Sequence, residues 1–256
     1  MSQLQALIFD VDGTLAETER DGHRVAFNRA FVEAGLPWNW SIDLYGKLVA
    51  VSGGKERLKH YIRQYQSEFD PPGGLDDFVR RLHATKTEIY RQLLQDGAIP
   101  LRCGVKRLLE EARRENLRLA IATTSALPNA TALLEKHLDP DWFEEIAAGD
   151  IVSAKKPAPD IYHYVLDKLA LSPENCLVFE DSPHGLQASL GAGLKTVVTV
   201  NDYTRHGDFR GAALVLGSLG EPDEPFEMVS GNAENFDGAT YFDCGLARRI
   251  LESPTT

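Results

Sequence analysis

Leu4-Gln5-Ala6-Leu7-Ile8-Phe9-Asp10-Val11-Asp12-Gly13-Thr14-Leu15 lies at the head of the chain: an apolar run that delivers two carboxylates and then turns. A short apolar run bounded by Gly and turn residues suits a strand covered on both faces, so Leu7, Ile8 and Phe9 read as a buried strand of a parallel sheet. Asp10 stands at its exit. Asp12 follows two residues later and, in extended backbone, projects to the same side, with Val11 on the other. Two carboxylates at one spot repel unless a cation sits between them or one keeps its proton, and both conditions serve phosphate chemistry. Read alone, Asp-Gly after an apolar run also fits an ordinary solvated turn.

Beyond Leu15 the pattern changes to helix. Phe27, Ala30, Phe31 and Ala34 fall at offsets of three and four before Gly35 stops the run; Leu58, Tyr61, Ile62 and Tyr65 make a second face, and Phe78, Leu82, Ile89 and Leu93 a third, with a break at Pro71 to Gly74. From Pro100 the reading alternates: a helix with Val105, Leu108, Leu109 and Ala112, a strand over 117–123, a helix around Leu133 and Leu134, a helix over 161–169, a strand over 177–180, a helix over 184–192 and a strand over 196–200. Repeated strand-helix units predict an α/β fold with a doubly wound, mostly parallel sheet core over 1–15 and 98–256, interrupted once by a helical cap domain over 16–97. Residues 212–216 are expected to add a last strand, 217–235 to form an irregular excursion rich in Gly, Pro and acidic residues, and 246–251 a short terminal helix.

The chain has 256 residues, 43% apolar and 25% charged, the make-up of an ordinary globular protein with a sizeable core. A formal net charge of −11 argues against general binding of nucleic acid or anionic membranes, while leaving room for a local basic pocket. Cys103, Cys176 and Cys244 are odd in number and widely spaced, which fits neither a zinc site nor a disulfide framework. With no signal-peptide core and no long apolar span, the expected location is the cytoplasm, or a plastid stroma if a transit segment has been removed. A monomer is expected.

In open α/β sheets the site forms beyond the carboxyl ends of the strands. The strand over 119–122 delivers Thr123, Thr124 and Ser125, whose hydroxyls and N–H groups suit phosphate oxygens, although Ser and Thr also serve as plain helix caps. Lys156 precedes Pro157, which holds it extended and gives it a fixed direction; a solvated loop lysine is the plainer alternative. The strand Cys176-Leu177-Val178-Phe179 exits into Glu180 and Asp181, more carboxylates at the same edge, which suggests a cation.

Together these residues compose a phosphoryl-transfer site. Asp10 is the nucleophile, forming an aspartyl phosphate. Mg²⁺ is the expected cofactor, held by Asp10, Asp181 and the backbone carbonyl of Asp12, with Glu180 beside it. Asp12 is the general acid and base. Thr123 and Lys156 hold the equatorial oxygens. In the helical insert, Gly53 and Gly54 turn into a helix start with Lys55 and Arg57 nearby, a place for a second anionic group or simply a hinge turn with surface charges.

Asp-x-Asp-Gly-Thr at 10–14, a strand-end Thr123, Lys156-Pro157 and Glu180-Asp181, in that order, resemble the haloacid dehalogenase superfamily, and the helical insert after the first strand resembles its β-phosphoglucomutase-like branch. The superfamily's dehalogenases lack the second carboxylate, so Asp12 implies a phosphate substrate. The stretches 17–24, 52–57 and 155–162 resemble the CbbY group, phosphatases of xylulose-1,5-bisphosphate, a misfire product and inhibitor of Rubisco. The resemblance implies a small phosphorylated sugar as partner, dephosphorylated at C1. One phosphate would meet Asp10 and Mg²⁺, the other Ser125, Gly53, Gly54, Lys55 or Arg57; Glu17 would contact sugar hydroxyls, and His23 would reach the sugar or act as an acid/base partner, unless it is merely structural. A sugar-phosphate mutase shares this core and is the alternative; a non-catalytic binding module on the same fold is the third.

Overall fold

The computed structural model describes residues 3–51, 53–149, 151–231 and 238–253. Ser52 and residues 232–235 of the expected excursion lie outside the described residues. Contacts divide the chain into two compact units, residues 1–17 with 100–256, and residues 18–99. These limits fall two residues beyond those that the spacing gave.

The first unit is built on a seven-stranded sheet in the order β3-β2-β1-β4-β5-β6-β7. Its strands are β1 (Ala6–Phe9), β2 (Arg118–Thr123), β3 (Glu145–Ala148), β4 (Cys176–Glu180), β5 (Lys195–Thr199), β6 (Leu214–Leu216) and β7 (Met228–Gly231). Six run parallel and β7 is antiparallel to β6. The doubly wound, mostly parallel sheet is therefore as the repeated units predict. β1 is wholly buried, as an apolar run between two parallel neighbours must be, and Phe9 stacks on Phe179 of β4 with ring centroids 4.5 Å apart. Because β2 lies on one side of β1 and β4 on the other, the chain reverses its winding at β1, and the crevice beyond that strand's carboxyl end is where ligands bind in such sheets.

Two departures concern the edges. β3 escapes sequence reading because Glu-Ile-Ala-Ala has only one β-branched residue and no alternation. The segment from Gly217 is not wholly irregular: Met228–Gly231 pairs with β6, and since all four of its residues are exposed, no burial pattern marks it as a strand.

The second unit is helical, comprising a π-helix (Thr18–His23), α1 (Arg24–Glu33), α2 (Ile42–Leu48), α3 (Gly54–Tyr65) and α4 (Leu75–Gln95). Its interior is aromatic. Trp40 packs on Phe27 and Phe31 with centroids 4.6 and 5.0 Å apart, and Trp38 and Tyr61 extend the cluster. Ser41 caps α2, accepting the Leu44 N–H at 3.1 Å.

The sheet is flanked by α5 (Val105–Arg114), α6 (Leu127–His137), α7 (Asp160–Leu169), α8 (Pro183–Gly191) and α9 (Cys244–Glu252). Among the described residues no helix is long and apolar enough to cross a membrane.

Phe31 is fully buried among these rings, so Phe31→Ala is expected to cost about 3–5 kcal/mol by cavity formation. Urea unfolding followed by tryptophan fluorescence, to which Trp38 and Trp40 of this unit contribute beside Trp142 of the other, measures this loss.

Candidate active site

The register of the sheet brings three loops to one place. Phe9 pairs with Ile121 of β2 and with Phe179 of β4, so Asp10, Ala122 and Glu180 emerge side by side. The Asp10 N–H still donates to the Phe179 carbonyl at 3.0 Å, which makes the nucleophile candidate an extension of the strand rather than part of a free loop.

Lys156 reaches in from the segment before α7. Its ammonium donates to Asp10 Oδ1 at 2.7 Å, to Glu180 Oε1 at 2.6 Å and to the Ala122 carbonyl at 2.7 Å, using all three of its N–H groups. Tyr162, buried on α7, donates its hydroxyl to the same Glu180 oxygen at 2.5 Å. The other Glu180 oxygen lies against Gly185, where an added Cβ would come within 1.8 Å of it. Glu180 is thereby the anchor of Lys156.

Asp10, Glu180 and Asp181 offer carboxylate oxygens within 4.8 Å of one another, and all three residues are buried. One ammonium does not neutralise three carboxylates. Burial, followed by the neighbouring charges of Glu180 and Asp12, pushes Asp10 up to about 8 against the pull of Lys156. Burial and the charges of Asp10 and Glu180 likewise hold Asp181 well above the usual range, opposed by a 2.7 Å hydrogen bond from Asn201 Nδ2 and by the charge of Arg102. For Lys156, burial alone would lower its proton affinity, but Asp10 and Glu180 together outweigh it and raise it. A cluster of oxygen donors that repel one another in the absence of a cation fits a hard divalent ion.

Asp12, half-buried two residues on, accepts a hydrogen bond from Ser125 Oγ. The turn that carries it needs Gly13, whose φ is +86° and where a Cβ would come within 2.2 Å of Asp181 Oδ2. Thr123 is buried and its Oγ1 accepts the Ser125 N–H at 3.1 Å, while Thr124 is exposed. Glu17 is held by Arg102 Nε at 3.0 Å.

In the helical unit Gly53, with φ +91°, precedes α3, and Lys55 is exposed on the first turn of that helix. Arg57 departs from expectation. It is buried and donates to the carbonyls of Leu48 and Val49 and to the Tyr45 hydroxyl, with Glu19 3.8 Å away, so it ties α3 to α2 instead of offering itself to an anion. His23 stacks on Tyr90, and its Nδ1 lies 2.7 Å from Lys86 Nζ.

Three participants escape sequence reading. Asn201 lies two residues past the end of β5, at the same carboxyl edge of the sheet as Asp10 and Glu180, and that position is its signal. Lys86 interrupts the apolar stripe Val79, Leu82, Tyr90 and Leu93 of α4, which is a signal in itself. Arg102 carries no motif at all.

A family model for the haloacid dehalogenase-like hydrolases matches residues 4–193. The chain belongs to this family. This hydrolase is 47% identical over 237 residues to the CbbY protein of Cupriavidus necator, with 91% of this chain and 93% of that protein covered. It is 43% identical to the crystal structure of CbbY from Rhodobacter sphaeroides in complex with phosphate, at a TM-score of 0.69, covering 84% of this chain and 95% of that one. A mutant of that protein has been solved in complex with xylulose-1,5-bisphosphate, with the same identity and coverage. A putative β-phosphoglucomutase of Thermotoga maritima is 30% identical, at a TM-score of 0.64, over 77% of this chain and 86% of that one. The hydrolase acts on phosphoric monoesters.

The raised Asp10 gives a pH dependence with a definite sign. Between 3.8 and about 8 the folded chain keeps a proton that the unfolded chain releases, so this contribution to stability is complete below 3.8 and is lost as the pH rises through about 8. In a chelator, the melting temperature is expected to fall between pH 5.5 and 8.5. Calorimetry of Asp10→Asn, which cannot titrate there, should show a shallower fall.

Proposed function

We propose that this hydrolase removes the C1 phosphoryl group of xylulose-1,5-bisphosphate through an aspartyl phosphate on Asp10. The observation that carries the reading is the 2.7 Å contact of Lys156 with Asp10 at the exit of β1, beside Asp181. The 43% identity to a protein solved with that sugar bisphosphate supports the choice of substrate.

An Asp10 oxygen attacks phosphorus as the bond from phosphorus to the sugar oxygen breaks. Asp12 gives its proton to that leaving oxygen. Water then attacks phosphorus, passing a proton to Asp12, and the bond to Asp10 breaks to release inorganic phosphate and the free carboxylate. Lys156 and Thr123 hold the non-bridging oxygens, where charge gathers in the transition state. Mg²⁺, when bound by Asp10, Asp181 and the backbone carbonyl of Asp12, supplies the positive charge that lets nucleophile and phosphate approach.

Specificity is assigned to Glu17 for the sugar hydroxyls and to Gly53, Gly54 and Lys55 for the second phosphate. Ser125 and Thr124 keep Asp12 and the phosphate oxygens in register, and Arg57 is left out of this set because its donors serve its own unit. The likeness to a putative β-phosphoglucomutase favours a second reading, in which the phosphoryl group returns to a sugar instead of passing to water.

Purified protein with xylulose-1,5-bisphosphate and Mg²⁺ should release stoichiometric inorganic phosphate; an isomerised sugar phosphate without free phosphate would select the mutase instead. Asp10→Asn should lower turnover by at least ~1,000-fold, and unchanged turnover would return the chain to a binding role. Mg²⁺ should raise the melting temperature more at pH 8 than at pH 6, since it displaces the proton held at the cluster.

A further inference from the structure

Arg102 lies in the turn that returns the chain to the sheet unit, with its side chain only 7% exposed. Its backbone N–H donates to the Leu15 carbonyl at 2.9 Å. A guanidinium has five N–H donors in a rigid plane, and here both terminal nitrogens donate to backbone carbonyls while Nε lies in an ion pair. Nη1 donates to the carbonyl of Gly13 and, at 2.8 Å, to that of Thr199. Nη2 donates to Val200 O at 2.6 Å and Gly217 O at 2.8 Å. Nε faces Glu17 Oε1 at 3.0 Å.

Four of these five partners are backbone carbonyls, at the catalytic turn, at the exit of β5 and just after β6. They fix the plane of the guanidinium, and once the plane is fixed the direction of Nε–H is fixed too. Of these five partners Glu17 is the charged one and the one that is a side chain. Its carboxylate is therefore aimed by the backbone of three segments, through one guanidinium.

We propose that Arg102 is a positioning residue, holding the Glu17 carboxylate in the orientation that receives the hydroxyls of a phosphorylated sugar. This rests on the assignment of Glu17 to the sugar made above. A lysine keeps the charge but has no planar fork, so it cannot hold four carbonyls and direct one donor at Glu17 together.

The test compares the full-length wild type, Arg102→Lys, Glu17→Gln and the double variant with Mg²⁺, on xylulose-1,5-bisphosphate and on p-nitrophenyl phosphate, an ester without sugar hydroxyls. The readout is the ratio of the two kcat/KM values. Each single variant is expected to lower that ratio about 10-fold, chiefly through KM for the sugar, and the double variant to be no worse than the poorer single, because both break one interaction. A ratio within about twofold of wild type in either single variant, or effects that multiply to about 100-fold in the double, would overturn the proposal.

Should Arg102→Lys melt below the assay temperature, Glu17→Asp carries the test, since it withdraws the carboxylate from Nε and leaves the four carbonyl contacts intact. An equal loss of the ratio supports aiming by Arg102, and a retained ratio refutes it. Wild-type phosphate release from the sugar is a separate readout: if it persists while the variants behave independently, only the role of Arg102 falls. If the wild type cleaves the aryl ester and no sugar phosphate, both readings fall.

Discussion

One ammonium among three buried carboxylates is the constraint around which the sheet unit is arranged. Lys156 donates to Asp10, Glu180 and the Ala122 carbonyl, so a single side chain fastens the exits of β1, β2 and β4 to one another. Breaking such a group by removing the cation leaves charges buried without compensation, which costs far more than a surface ion pair is worth. The negative excess that remains, visible in the raised proton affinities of Asp10 and Asp181, is what makes the place receptive to a cation and then to a phosphate. Fold and chemistry thus meet in one electrostatic imbalance.

Around that centre the supporting groups have separable tasks. Glu180 and Tyr162 set the lysine; Asn201 steadies Asp181; Ser125 donates to Asp12. Asp12 is half-buried where Asp10 is buried, which suits a proton carrier that must exchange with substrate and water and a nucleophile that must not be solvated away. Gly13 permits the crowding by lacking the one carbon that would strike Asp181.

Much of this was legible in the chain, and for stated reasons. β1 and β4 announce themselves because both faces of a central parallel strand are apolar, and the polar residues that follow them mark the site edge directly. Pro157 marks Lys156 in the sequence, while the ion pairs of Lys156 with Asp10 and Glu180 join residues 146 and 24 positions apart, a relation that only folding creates. β3 and β7 carry no such mark, because edge strands need neither apolar runs nor alternation. An arginine near a Gly-Gly turn looks the same in sequence whether it faces solvent or, as Arg57 does, the carbonyls of Leu48 and Val49. Arg102 binds mostly main chain, and backbone carbonyls leave no trace in the residue code.

Gly185 has a consequence of its own. It stands in the first turn of α8, where Ser182 Oγ takes its N–H at 3.1 Å, and the absence of a side chain lets a Glu180 oxygen lie against the helix start. Peptide dipoles point their positive ends at that spot. Part of the counter-charge in this site is therefore supplied by backbone, which neither titrates nor dissociates, so Glu180 keeps that share whether or not a dissociable ion is in residence.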